Sequence, residues 1–284
     1  MRLINKRNRK NRKHGHAIVN KFLRRGWDKT LGRYVNCCYS DFQNEGKITH
    51  LLLREQGFTC CYCMRAISYK SHTTIEHILP RRTKKDDSNT ITHYLNYARF
   101  MKRYVKWTEE PPRYRVKVPP YPHYCAYENL VASCDGSIYD LRNPDYRYPR
   151  KLHNSCNNFR KNEEIIPMFF MKGINRLLVY ERDGELSYDD KFRHTVKAIN
   201  LEYDTLKLMR RAWAKVSDWY SVEDVRKAMT DEELRNEIID DSRLNAFDGN
   251  LLRHTSLWNL LYEYRWFYTY FKRKAKTHIN PNDR

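Results

Sequence analysis

The sequence predicts an α+β protein: a cysteine-stapled core of short strands and turns, embedded in a mainly helical chain that begins with a basic N-terminal arm. Three observations carry this expectation. Six of the eight cysteines fall between Gly57 and Asn162, in a stretch rich in turn residues. Beyond residue 200 the apolar residues recur at helical spacing. Residues 1–34 hold twelve Lys/Arg against one Asp, a composition too polar to pack a core. The expected division is therefore a flexible basic arm over 1–34, read either as a solvated tail or as a phosphate-contacting arm, a core with loop insertions over 35–172, and a hairpin plus helices over 173–284.

The elements follow in order. Thr49–Gln56 reads as a short helix leading into the first cysteine knuckle. Thr108–Pro122 is rich in proline and cations and reads as an extended loop, because paired prolines forbid helix. A hairpin is expected over Asn175–Tyr188, with its turn at Asp183-Gly184. Leu206, Met209, Trp213 and Val216 predict a helix. Ser221–Asp224 and Thr230–Glu233 each match a capping box, so two short helices are expected to start there. A last helix is expected over Asn250–Lys274. Residues 218–248 carry ten Asp/Glu and four Lys/Arg, an acidic island that reads as a solvated helical face or a docking surface for a partner protein.

The net charge of +20 attracts polyanions, of which nucleic acid is the commonest. Apolar stretches such as Ile165–Met171 are far short of the roughly 20 residues a membrane span needs. Met1–Lys13 is basic with no apolar region after it, so a cytoplasmic protein without a signal peptide is expected. Eight cysteines in that compartment are poor disulfide candidates, which makes metal the first reading to test.

Cys60 and Cys63 form a C-x-x-C. Cys134 and Cys156 can complete a four-thiolate tetrahedral zinc site, which would be structural because no coordination position stays open. His153 is a rival to Cys134 as ligand. Between the two halves lies Thr74-Ile75-Glu76-His77-Ile78-Leu79-Pro80, an acidic residue followed directly by histidine. Next comes Glu128-Asn129-Leu130, which leads into Cys134. Last is Cys156-Asn157-Asn158, with polar residues directly after the final cysteine.

The order C-x-x-C, E-H, N-L-x-x-x-C, C-N resembles the zinc-supported HNH (ββα-metal) nucleases. That resemblance implies a β-hairpin followed by a helix, with His77 as general base and Glu76 and Asn157 as ligands of a catalytic Mg²⁺ or Mn²⁺. Asn158 is the alternative to Asn157. It also implies that Asn129 holds the loop orienting the histidine. Phosphodiester hydrolysis needs an activated water and charge stabilisation at the departing oxygen. Histidine suits the base role at neutral pH, and a hard divalent ion prefers oxygen ligands. Glu at position 76 lengthens the side chain found in commoner variants. Arg81, Arg82, Lys84, Lys85, Arg160 and Lys161 are candidate phosphate contacts, which would position nucleic acid without reading its sequence.

A longer run resembles a narrower group. LLLREQGFTCCYCMRAIS, IEHILP, YENLVASCDGS, the prolyl Ile166-Pro167, VYERDGEL and AINLEYDTLKLMRRAW are similar to the PtuB-like nucleases of Septu-type and retron-linked anti-phage defence. The match covers roughly Thr49–Trp213. It implies an ABC-type ATPase partner that controls the nuclease. The substrate is expected to be nucleic acid, DNA or RNA. The competing expectation is a catalytically inactive zinc-stabilised nucleic-acid-binding or scaffold subunit.

Overall fold

The computed structural model describes residues 1–69, 72–83, 87–139, 151–242 and 255–277. The chain forms two compact units: Met1–Tyr62, Ile67–Cys134 and Arg160–Asn175 make unit 1, and Cys63–Ala66, Asp135–Phe159 and Arg176–Arg284 make unit 2. Strands and helices are mixed, and among the described residues the sheets are two-stranded. Among the described residues no helix is long and apolar enough to cross a membrane.

Unit 1 begins with α1 (Arg9–Gly26), capped by the Asn8 side chain, which accepts from the Asn11 amide. The expected flexible arm is corrected here. Ile18, Val19, Phe22 and Leu23 fall on one helical face with Gly15 and Gly26, and all are buried. The dense charge over Met1–His16 hid this apolar face. The residues before the helix are also tied down. Met1 and Ile4 are buried, Ile4 donates its amide to the Phe169 carbonyl at 2.8 Å, and buried Lys6 meets Glu55 at 2.6 Å. These first residues pack as part of unit 1 and do not form a separate segment.

The helix expected over Thr49–Gln56 starts three residues earlier, as α2 (Gly46–Gln56). It ends because Gly57 adopts φ +61°, a left-handed cap in which its amide reaches the Arg54 and Leu53 carbonyls. The central hairpin pairs β1 (Thr73–His77) antiparallel with β2 (Leu130–Cys134). Its register sets Thr73 opposite Cys134 and His77 opposite Leu130. Between these strands runs α3 (Ser88–Tyr97). The proline-rich Thr108–Pro122 contains no helix and ends in Tyr121–Pro122, which pairs in parallel with Val105–Lys106.

In unit 2, β3 (Ser137–Tyr139) pairs antiparallel with β4 (Lys151–His153). The expected hairpin is present as β5 (Leu178–Tyr180) and β6 (Leu186–Tyr188). Gly184 turns it at φ +94°, a conformation that a side chain resists. The helix over α4 (Asp204–Trp219) buries Leu206, Met209, Trp213 and Val216 as their spacing requires. Ser221 and Asp224 form the expected reciprocal box before α5 (Val222–Lys227). The second box is corrected: Asp231, not Thr230, caps α6 (Glu232–Asp241) by accepting from the Leu234 amide. The single last helix is also corrected to two, α7 (Thr255–Glu263) and α8 (Trp266–Thr277). Trp213 donates its indole N–H to the Leu261 carbonyl at 2.8 Å, which ties α4 to α7.

Candidate metal centre and candidate active site

All eight cysteines are free of disulfides, and four of them meet. Cys60, Cys63, Cys134 and Cys156 are buried with their sulfur atoms within 4.8 Å of one another. A tetrahedral ion with bonds of about 2.3 Å holds its sulfurs about 3.8 Å apart, inside that span. Two backbone amides, Tyr62 at 3.4 Å and Cys134 at 3.2 Å, donate to the Cys60 sulfur. N–H donors of this kind stabilise a thiolate. Soft sulfur donors in a closed set can hold a structural zinc ion. Cys156 sits at φ +59°, and its amide donates to the Ile199 carbonyl at 2.9 Å. A left-handed residue with a Cβ carries strain of order 1–3 kcal/mol, which persists only where the surroundings impose it.

The other end of the β1–β2 hairpin carries His77. One ring nitrogen, Nε2, lies 2.9 Å from the Tyr124 carbonyl. A carbonyl only accepts, so Nε2 carries the hydrogen and Nδ1 is the lone-pair nitrogen of the neutral ring. Burial lowers the His77 pKa to about 3, with the neighbouring His123 and Arg81 adding to the effect against the raising influence of the Tyr124 carbonyl. The imidazole is therefore neutral at neutral pH. Nδ1 has no hydrogen-bond partner among the described residues. The Tyr39 ring stands edge-on to the imidazole at 4.7 Å, and the Arg81 guanidinium lies 5.2 Å over that ring. Glu110 accepts from the Tyr39 amide at 2.8 Å.

Asn129 fixes the turn around this histidine. It is fully buried, its side-chain oxygen accepts from the Leu79 amide at 2.7 Å, and its Nδ2 donates to the Leu79 carbonyl at 3.0 Å and the His123 carbonyl at 2.8 Å. One amide thus ties the chain just after His77 to the chain just before Tyr124. His123 is held in turn, with Nε2–H on the Arg81 carbonyl at 3.1 Å and Nδ1 facing the Thr108 amide at 3.4 Å. Both its nitrogens are used, and burial lowers its pKa to about 4.

Glu76 and Arg160 do not occupy the expected positions. Neighbours on a strand face opposite ways, and here Glu76 faces inward, 4% exposed. Tyr62 donates its hydroxyl to Glu76 at 2.9 Å, and the Arg160 guanidinium pairs with the same carboxylate. Arg160, 1% exposed, also donates to the Tyr94 hydroxyl at 2.9 Å and to the Glu163 carbonyl at 3.0 Å. Burial pushes the Glu76 carboxyl up, against the pull of Arg160 and Tyr62. The expectations of Glu76 as a ligand of a hydrated ion and of Arg160 as a phosphate contact are therefore corrected. A carboxylate committed to an internal ion pair does not fit a Mg²⁺ site, and no step through that ion follows from it.

The remaining candidates are simply located. Asn157 is half-buried and Asn158 exposed in the helical turn Cys156–Arg160. Arg82 and Lys161 are exposed and Arg81 is half-exposed. Lys84 and Lys85 lie outside the described residues, as do the side chain of His153 and, in the acidic island, Asp248. Sequence reasoning missed Tyr39, His123, the Tyr124 carbonyl and Gln56. Gln56 mimics a strand partner, donating to the Ala132 carbonyl and accepting from its amide at 2.7 Å each. The only available signal was His123 and Tyr124 falling just before the Asn129 element; nothing near Tyr39 marks it. Among known proteins, no family model, no curated protein and no solved structure matches this chain.

Proposed function

We propose that this chain is an HNH-class endonuclease that hydrolyses phosphodiester bonds in nucleic acid, with His77 as the general base. The observation that carries the reading is the His77 ring: neutral, fixed by one nitrogen on the Tyr124 carbonyl, and with the other nitrogen unpaired. The chemistry needs a proton acceptor that is unprotonated at neutral pH, which this ring is; the burial that lowers its pKa to about 3 makes it a weaker base than one matched to neutral pH. Asn129 is a positioning residue, since it holds both chain segments that define the ring's orientation. The four cysteines would hold structural Zn²⁺. They lie at the far end of the hairpin, four residues from His77 in register, or about 13 Å at strand rise. That ion therefore serves the frame and not the reaction. A hard ion, Mg²⁺ or Mn²⁺, belongs to this reading by resemblance alone, with Glu76 committed to Arg160 and not among its ligands.

By resemblance, the reading extends to a nuclease effector of bacterial anti-phage defence under an ABC-type ATPase. The test is cleavage of plasmid, single-stranded DNA and total RNA in Mg²⁺ or Mn²⁺, with and without such an ATPase. His77→Ala is expected to lower the rate per folded molecule by about 10²- to 10⁴-fold while zinc content holds, with a stability cost of about 1–3 kcal/mol from the lost Tyr124 contact. Unchanged cleavage by the variant would remove His77 from the role. A second reading, a zinc-stabilised binding or scaffold subunit without activity, is favoured by the commitment of Glu76 to Arg160. Salt-sensitive binding with no cleavage under any ion or partner would select it.

A further inference from the structure

We infer that the outward face of α1 is a docking ridge for the phosphate backbone of nucleic acid. No acidic residue precedes Asp28. At 100° per residue, Arg9, Lys10, Lys13, Lys21 and Arg24 fall in one sector of about 120°. All five are exposed, and none has a carboxylate partner among the described residues. Along the axis they span about 22 Å, long enough to follow several phosphates of one duplex.

The opposite sector is already committed. Ile18, Val19, Phe22 and Leu23 are buried within unit 1. Adsorption to a membrane draws on an apolar helix face as well as cations, and α1 has no apolar face left to offer. Its remaining surface is matched to a charged polymer. The helix is also anchored beside the candidate site. His16 pairs with Glu128 at 2.8 Å, directly before Asn129, and Gly15 lies so close to the Tyr127 ring that a Cβ would collide with it. Gly15 faces directly away from the ridge, so a polyanion held there lies across α1, about one helix diameter or roughly 10 Å, from the element that carries the Asn129 turn. The cations supply affinity and register without reading sequence.

This inference goes beyond the hydrolytic reading and stands without it. The test uses the full chain with no added divalent ion, a short fluorescent DNA duplex and the matching RNA duplex, titrated across KCl concentrations. Lys10→Ala/Lys13→Ala/Lys21→Ala/Arg24→Ala is expected to reduce the slope of log Kobs against log salt by roughly 3 to 4. The charge-matched control Arg193→Ala/Lys197→Ala/Arg226→Ala/Lys227→Ala, exposed in unit 2, is expected to change it by less than about 1. Circular dichroism checks that both variants fold. Equal losses in the two variants, or none in the first, overturn the ridge. So does a first variant that loses phosphatidylserine vesicles while keeping the duplex. If the slope falls as expected but no condition gives cleavage, the ridge stands and the nuclease reading falls.

Discussion

The two ends of the β1–β2 hairpin are held by different physics. At the Cys134 end, four buried sulfurs converge and leave no coordination position open. At the His77 end, one asparagine makes three hydrogen bonds and one ring nitrogen keeps its lone pair. The first end is built to be closed and the second to be available. Glu76 belongs in kind with the closed end, since its charge is met inside the protein, while the very next residue keeps a nitrogen for other use. An acidic residue beside a histidine is thus no guarantee that both serve one reaction.

The largest test of this contrast removes the closed end. Structural zinc in small domains contributes about 10–16 kcal/mol of apparent binding energy at neutral pH. Cys134→Ser is expected to abolish zinc binding and cooperative thermal melting, read by metal analysis and circular dichroism. A variant that melts as the parent does would mean that the thiols are merely buried. Arg160→Ala comes next, because it strands the Glu76 carboxylate inside; the expected cost is about 3–5 kcal/mol in urea denaturation. Glu76→Met/Arg160→Met, which removes both charges, is expected to recover part of that loss. A cost under about 1 kcal/mol for Arg160→Ala would show that the pair is not desolvated as described.

Asn129→Ala probes the open end. Deleting its side chain leaves buried Leu79 and His123 backbone groups without partners, at a cost of about 2–3 kcal/mol. If Asn129 positions the base, kcat is expected to fall well beyond what the unfolded fraction explains, with KM nearly unchanged. A rate that tracks only the folded fraction would reduce Asn129 to a stabilising role.

How much of this was legible depends on the range of the signal. The cysteine quartet, the Gly184 hairpin and the α4 periodicity lie in short patterns, and the structure has them where the spacing put them. The second helix cap moved by one residue because Thr230 and Asp231 offer equivalent oxygens. Glu76, expected as a ligand of the catalytic ion, and Arg160, expected as a phosphate contact, instead meet each other inside the protein. Their pairing spans 84 residues and no local pattern encodes it. The N-terminal segment was misread for the opposite reason, since its charge density masked a local apolar face that the periodicity of residues 15–26 does contain. The carbonyl that orients His77 could not be read at all, because a backbone atom leaves no trace in residue identity.

The finest discriminator is pH, and His123 isolates it. Its pKa is about 4 in the fold against about 6.5 when unfolded. Above pH 6.5 both states hold the neutral ring, and its contribution is constant. As pH falls below 6.5 the unfolded chain takes up a proton that the folded chain refuses, so stability is lost progressively down to about pH 4 at roughly 1.4 kcal/mol per pH unit. At pH 5 the loss attributable to His123 is about 2 kcal/mol. Urea denaturation at pH 7 and pH 5 is expected to give a difference that shrinks by about that amount in His123→Asn. The same logic applied to His77 predicts cleavage without an acidic limb near pH 6.5, because its ring stays unprotonated far below that point. A rate that falls through a pKa near 6.5 would mean that the imbedded ring is more open to water than its contacts imply, and the distinction between the two histidines, one spent and one available, would have to be redrawn.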